Sequence, residues 1–209
     1  VSLMILSHGV KGLLDFDQFP DWGLVPIHLI TKFSSTLFVL VFGISLATFH
    51  LPYSSSLEWA ERRKRLWLRA LTILFWYKAL TIVEMFHLYS REDILATLKY
   101  QAFPVYVEIL GFYALALFWI PLLLPLVKRI HPAIQLLFAG AMGALSFHLY
   151  RNFHFWGIEP LKAILVEHEN HYCWGQISRG SIAFVGIALG RSIFRFPDLI
   201  GRKNRRAGL

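Results

Sequence analysis

Apolar residues run in long blocks along this chain, at 26–49, 66–89, 105–127, 133–150 and 178–196, with a shorter block at 1–14. A helix needs ~20 apolar residues to cross the hydrocarbon core of a bilayer. The blocks therefore predict an all-α, polytopic membrane helix bundle of six spans, the first of them truncated. Val1–Leu14 reads as the back half of a helix, so the sequence is expected to lack upstream residues. No linker, repeat or low-complexity segment interrupts residues 1–209, which predicts a single domain. Pro121 and Pro125 are expected to kink or end the 105–127 helix. Gly186 with Gly190, and Gly140 with Gly143, are spaced to let helices approach closely. Glu159-Pro160-Leu161-Lys162 reads as the start of a short interfacial helix, because proline suits the first helical turn.

Composition sharpens the class. The chain is 56% hydrophobic and 16% charged, against about 25% charged for a soluble domain. Its net charge of +8 is gathered into short runs between the apolar blocks: Arg62–Arg65, Lys128-Arg129, and Arg202-Lys203 with Arg205-Arg206. That is the distribution of a positive-inside topology signal. It does not make the folded basic face that nucleic acid would require. The 50–65 and 128–132 loops and a cytoplasmic C-terminus are then assigned inside, and the loops at 15–25, 90–104 and 151–177 outside. Trp22, Trp156, Tyr172 and Trp174 in the outer loops suit the membrane interface. The lone Cys173 excludes an internal disulfide.

Polar residues within and beside the blocks carry the candidate chemistry. This topology brings His8, His28, Lys32, Glu84, His87, Glu108, His148, Arg151 and Arg179 to the outer half, with Lys78 deeper. Ionisable groups at membrane depth are costly and default to functional candidates. Lys78 costs ~2.5–3.5 kcal/mol at a helix centre, nearly what the apolar side chains of 66–89 recover at ~0.3–0.6 kcal/mol each. A buried ion pair of purely structural role would also satisfy Lys78 and Glu84. Glu84 and His87 share a helix face, and an imidazole oriented by a carboxylate suits general acid–base catalysis. Glu108 joins these as a catalytic candidate. Lys32, Lys78, His148, Arg151 and Arg179 are the candidate substrate-binding residues. His168, His171 and Cys173, with Glu167 and Glu169 beside them, are metal-ligand types, but their spacing is not a zinc pattern, so a solvated loop is preferred and no metal site is assigned. Two other readings remain: a transporter or sensor with Lys78, Glu84 and Glu108 as an ion or proton pathway, and a b-type haem protein with paired histidines.

Several short motifs together resemble one family. Val1–His8 resembles the end of the first helix of membrane acyltransferases, the superfamily that includes heparan-alpha-glucosaminide N-acetyltransferase and the family-3 enzymes that acylate bacterial glycans. Lys32–Leu46, ending in Gly43-Ile44-Ser45-Leu46, is similar to the second helix. Arg62–Arg65 leading into Leu66-Trp67-Leu68-Arg69 resembles the entry to the third. Val107–Tyr113 and Gly186–Arg191 resemble later helix ends. Members have more spans than the six read here, and the family's first-helix arginine would precede Val1. The resemblance implies a multi-pass protein of the bacterial inner membrane. It implies transfer of an acyl group, often acetyl, from a CoA co-substrate to a hydroxyl or amine of an extracytoplasmic glycan-like acceptor, with no bound cofactor. His8 would be the catalytic base or the acyl carrier.

Overall fold

The computed structural model describes the backbone of residues 21–86, 89–99, 101, 108–168 and 174–206, and the side chains of 33–83, 85–86, 89–99, 101, 109–168 and 174–193. Among these residues every regular element is helical. Seven α-helices follow in order: α1 (Asp21–Phe49), α2 (Trp59–Met85), α3 (Arg91–Leu98), α4 (Glu108–Arg129), α5 (Pro132–Asn152), α6 (Glu159–Leu165) and α7 (Gln176–Arg206). Single 3₁₀ turns at Leu51–Tyr53 and Phe155–Gly157 join two of the connections.

Three helical segments are long and apolar enough to cross a membrane: Trp59–Val83, Ile109–Arg129 and Pro132–Asn152. Helix α1 runs for 29 residues, and its part with described side chains, Phe33–Phe49, is apolar; α7 is not among the three. Arg179 and Arg191 bound the apolar run of α7 and shorten it. Of the six expected spans, five blocks are helical, and among the described residues three of those helices have both the length and the hydropathy to span. The 1–14 block lies outside the described residues.

Helix α1 packs on α7, α5 on the other side of α7, and α2 on α4. The fully buried core is Val39, Phe112, Ile120, Leu124, Phe184 and Ile187. Outward, α2 presents Leu68, Leu71, Phe75, Trp76 and Val83, and α5 presents Ile134, Leu137, Leu145 and Phe147. An exposed apolar surface of that extent suits lipid rather than water.

The α1–α7 seam shows why small residues stand where they do. A Cβ on Gly186 would strike the Leu40 carbonyl, one on Gly43 the Ala183 carbonyl, and one on Gly190 the Ala47 methyl. Backbones this close gain dispersion contacts that larger residues would prevent. Gly186 and Gly190 therefore act as their spacing predicts. The second pair does not: Gly140 has nothing within 4 Å of a built Cβ, and Gly143 meets only Ser181 Oγ at 3.8 Å.

Neither proline ends α4, which runs through Pro121 and Pro125 to Arg129. In the turn before Pro121, the Trp67 indole N–H donates to the Phe118 carbonyl at 3.1 Å. Proline lacks the N–H that would bond the Leu117 carbonyl, and the Trp67 bond ties α2 to the neighbouring carbonyl of that same turn. The end of α4 is held from α7: Arg191 donates to the Val127 and Lys128 carbonyls at 2.7 and 3.3 Å and to Gln135 Oε1 at 3.0 Å. Gln135, fully buried, passes its own N–H to the Phe184 carbonyl at 2.9 Å. A cation on the last carbonyls of a helix satisfies orphan acceptors and opposes the macrodipole.

These contacts, with the Lys128 ammonium donating to the Pro52 carbonyl, gather the α1–α2 turn, the α4–α5 turn and Arg191 at one end of the bundle. Arg62–Arg65 and Lys128-Arg129 therefore share that end. At the opposite end, α6 forms where Glu159-Pro160 predicts a short helix, with proline in its first turn. Helix α3 forms within the 90–104 segment, which the sequence predicts as an outer loop. Its signal is a capping box, in which Ser90 Oγ accepts from the Asp93 N–H and Asp93 accepts from the Ser90 N–H, the reciprocal arrangement that starts helices.

Candidate functional site

The far end of α5, the α6–α7 connection and the first turn of α7 enclose a polar cavity of ≈ 440 Å³. Three consecutive residues with left-handed backbone, Phe155, Trp156 and Gly157 (φ 46°, 55° and 76°), reverse the chain after α5. Such conformations cost about 1–3 kcal/mol each for non-glycine residues; here the Phe153 ring packs edge-on against Phe155 and Trp156, at 4.8 and 5.4 Å. The reversal carries α6 back so that Val166 and Glu167 meet α7. Gly175 is required at that meeting, since a Cβ there would overlap the Val166 carbonyl.

Arg151 and Tyr150 from α5, Ser146 one turn earlier, Glu167 and Ser178 line the cavity. Ser178 Oγ lies 3.2 Å from Glu167 Oε1 and also within reach of the Val166 and Gly175 carbonyls at 2.9 and 3.1 Å. Arg179 approaches the same carboxylate at 3.6 Å and stacks over Trp174, 5.1 Å from its ring centre. The Arg151 guanidinium lies over Phe147 at 4.5 Å, and Lys162 over Tyr150 at 5.1 Å. A carboxylate, hydroxyls and guanidinium groups around one cavity can bind a ligand rich in hydroxyls or carrying an anion.

The candidates named from sequence are placed as follows. Arg151 lines the cavity and Arg179 holds its carboxylate. His148, between the lining residues Phe147 and Tyr150 but not itself in the cavity wall, is exposed and shares a 3.1 Å hydrogen bond with Asn152. Lys78, half-buried in α2, donates to the Thr97 carbonyl at 3.1 Å and so joins α2 to the last turn of α3. His28 and Lys32 are in α1, Glu84 in the last turn of α2 and Glu108 at the start of α4, with side chains outside the described set; His8, His87, His171 and Cys173 lie outside the described residues altogether. Among the described residues no three His, Cys, Asp or Glu side chains converge as metal ligands would.

Nothing in the sequence marks Tyr150 or Ser178 as binding residues, and Glu167 stands out there only beside the metal-ligand types of the 168–173 stretch. Glu167 and Ser178 are eleven positions apart, and only the α6–α7 reversal joins them. A polar first turn, Gln176 to Arg179, on an otherwise apolar helix was the available signal. Gln176 accepts from the Trp119 indole at 2.9 Å and donates to the Phe112 carbonyl at 3.4 Å, tying α7 to α4 beside the cavity. No protein-family pattern, characterised protein or solved structure matches this chain.

Proposed function

We propose that this chain is an integral membrane acyltransferase of the bacterial inner membrane. It moves an acyl group, acetyl in the simplest case, from a CoA donor to a hydroxyl or amine of a glycan-like acceptor outside the membrane. The observation that carries this reading is the polar cavity at the end of the bundle opposite the basic turns. Arg151, Tyr150, Glu167 and Ser178 give a hydroxyl-rich acceptor several partners there, on a protein whose remaining surface is largely apolar. The motif resemblance supports it independently, through His8 and the helix ends at Gly43, Arg62–Arg69 and Gly186–Arg191.

In the transfer, His8 removes the proton of the acceptor hydroxyl as its oxygen attacks the thioester carbonyl. The carbon–sulfur bond breaks, and the CoA thiolate leaves and takes up a proton. Glu84, His87 and Glu108 are the carboxylates and imidazole that orient the base. The C-terminus and basic turns face the cytoplasm under the positive-inside rule.

The test is transfer of labelled acetyl from acetyl-CoA in membranes carrying the protein, beside its His8→Ala variant. We expect transfer by the first and none by the second, at equal expression and insertion. Full activity in His8→Ala would remove His8 from the reaction. Transfer by neither, with proton flux that depends on Lys78, would replace this reading by transport.

A further inference from the structure

A second cavity of ≈ 430 Å³ shares no lining residue with the polar one and lies between α1, α2 and α4. Phe38, Phe42, Leu46 and Ile73 form much of its apolar wall, and Val41, 55% exposed, opens it sideways onto the outer surface of the bundle. Along α1 it extends from Phe38 to His50, about 18 Å at ~1.5 Å per residue. That matches roughly one leaflet, half of a ~30 Å hydrocarbon core.

Its guanidinium and its imidazole are at the end that carries the basic turns, while Ser45 and Tyr113 add hydroxyls elsewhere along it. His50 follows α1, and Arg69 lies about 10 Å further into α2 than Arg62 at ~1.5 Å per residue. Arg62 is engaged by Glu58 at 3.2 Å and by the Tyr53 ring. Arg69 is different: among the described residues no carboxylate comes within ion-pair distance of it. His50 Nδ1 is buried with no hydrogen-bond partner in the same set. Arg69 is exposed, one turn beyond Arg65; a cation that faces hydrocarbon without a counter-ion is expensive, and so is a buried polar atom without a partner. Burial, with Arg69 and Arg62 beside it, also holds His50 below the usual histidine range, which marks the local field as positive.

We propose that this groove binds one anionic phospholipid, with its phosphate against Arg69 and His50 and one acyl chain along Phe38, Phe42 and Leu46. The lateral opening admits a ligand already in the bilayer. Basic pockets between helices on the cytoplasmic side attract anionic head groups, and that leaflet carries a negative surface potential. This site is independent of the acyl-transfer reading and shares no residue with the polar cavity.

The experiment offers the purified protein an equal mixture of phosphatidylglycerol and phosphatidylcholine with identical chains, and counts retained lipids by native mass spectrometry. One phosphatidylglycerol per chain is expected, in preference to phosphatidylcholine. Arg69→Gln should lower that preference about tenfold or more, the loss of a charge-assisted hydrogen bond, while Arg69→Lys keeps most of it. Ile73→Trp, which fills the apolar arm, should reduce retention of both lipids. Variants are compared only where helicity and elution volume match the parent, and Arg69→Lys supplies a charge-conserving case. Equal retention of the two lipids, an undiminished preference in Arg69→Gln, or displacement of phosphatidylglycerol by equimolar palmitoyl-CoA would each overturn the proposal.

Discussion

The two cavities are nearly equal in volume, ≈ 440 and ≈ 430 Å³, yet chemically they are opposites. The cavity at the α5–α7 end has its cation and carboxylate in one place: Arg179 faces Glu167 at 3.6 Å, and Ser178 lies against the same carboxylate. It holds a carboxylate among its cations, Arg151 and Arg179, with hydroxyls beside them, as suits a hydroxylated ligand or one that carries an anion. The groove between α1, α2 and α4 is apolar along most of its length and ends in Arg69 and His50, with no described carboxylate to answer them. Size alone would not distinguish these sites. Where the counter-charge sits does, because an unanswered charge beside hydrocarbon selects an anionic ligand.

The comparison breaks most completely if the shared scaffold fails. Gly186→Leu drives a side chain into the Leu40 carbonyl and should separate α1 from α7, with overpacking costs at or above the ~1–3 kcal/mol usual in cores. A large fall in melting temperature in detergent, with loss of both acetyl transfer and lipid retention, is the expected outcome. A stable variant would show that the seam is looser than it is drawn here. Arg191→Met comes next. It strips the α4 carbonyls and leaves Gln135 Oε1 buried without its cation, a loss of about 3 kcal/mol for hydrogen bonds to a charged group, read as a lowered melting temperature. Glu167→Gln should separate the two sites: acetyl transfer falls about tenfold, the scale of one charge-assisted interaction, while phosphatidylglycerol retention stays at the parent level. A change in lipid retention instead would mean the cavities are coupled. Trp67→Phe removes one indole hydrogen bond to Phe118 and should cost only about 1 kcal/mol, visible as a small shift in thermal unfolding.

The smallest effect concerns protons. Because His50 is held below its ordinary value of 6.5 by burial, Arg69 and Arg62, the unfolded chain binds a proton more readily than the folded one. Stability from this group is full above that value and declines as the pH falls below it. His50→Gln should flatten that part of the melting-temperature profile between pH 7.5 and 5.5. Saturating phosphatidylglycerol should flatten it too, by placing a negative charge at the mouth. A profile unchanged by the substitution would assign the acid sensitivity to other groups.

Much of the scaffold was legible in the residues themselves. The apolar blocks mark where α1, α2, α4, α5 and α7 lie, because apolar helices must be long to cross a bilayer and polar loops must lie between them. Glu159-Pro160 marks α6, and the Gly186–Gly190 spacing marks a close helix contact, since both depend on local backbone geometry. The failures were also physical. Pro121 and Pro125 are expected to kink or end their helix because proline removes a local hydrogen bond; α4 does not end at either and continues to Arg129, with Trp67 of another helix bonded to the turn before Pro121. Gly140 and Gly143 have a close-contact spacing but no backbone opposite them. Arg151 and Arg179 were recognisable as binding candidates by charge and position. Of their partners, Glu167 stands out in the sequence only beside the metal-ligand types of the 168–173 stretch, and Tyr150 and Ser178 not at all.

What the sequence determined by itself is the class of molecule: its all-helical character, its affinity for an apolar medium, and the segregation of basic residues to a few turns. Hydropathy and charge are properties of residues, and they survive without knowledge of neighbours. What only the tertiary structure decided is which polar groups meet. The reversal at Phe155–Gly157 brings Glu167 to Ser178 and Arg179, the α1–α2 turn sets His50 beside Arg69, and Arg191 reaches across to close α4. Those pairings join residues far apart in the chain, and their energies depend on distance, burial and counter-charge, none of which a linear pattern contains.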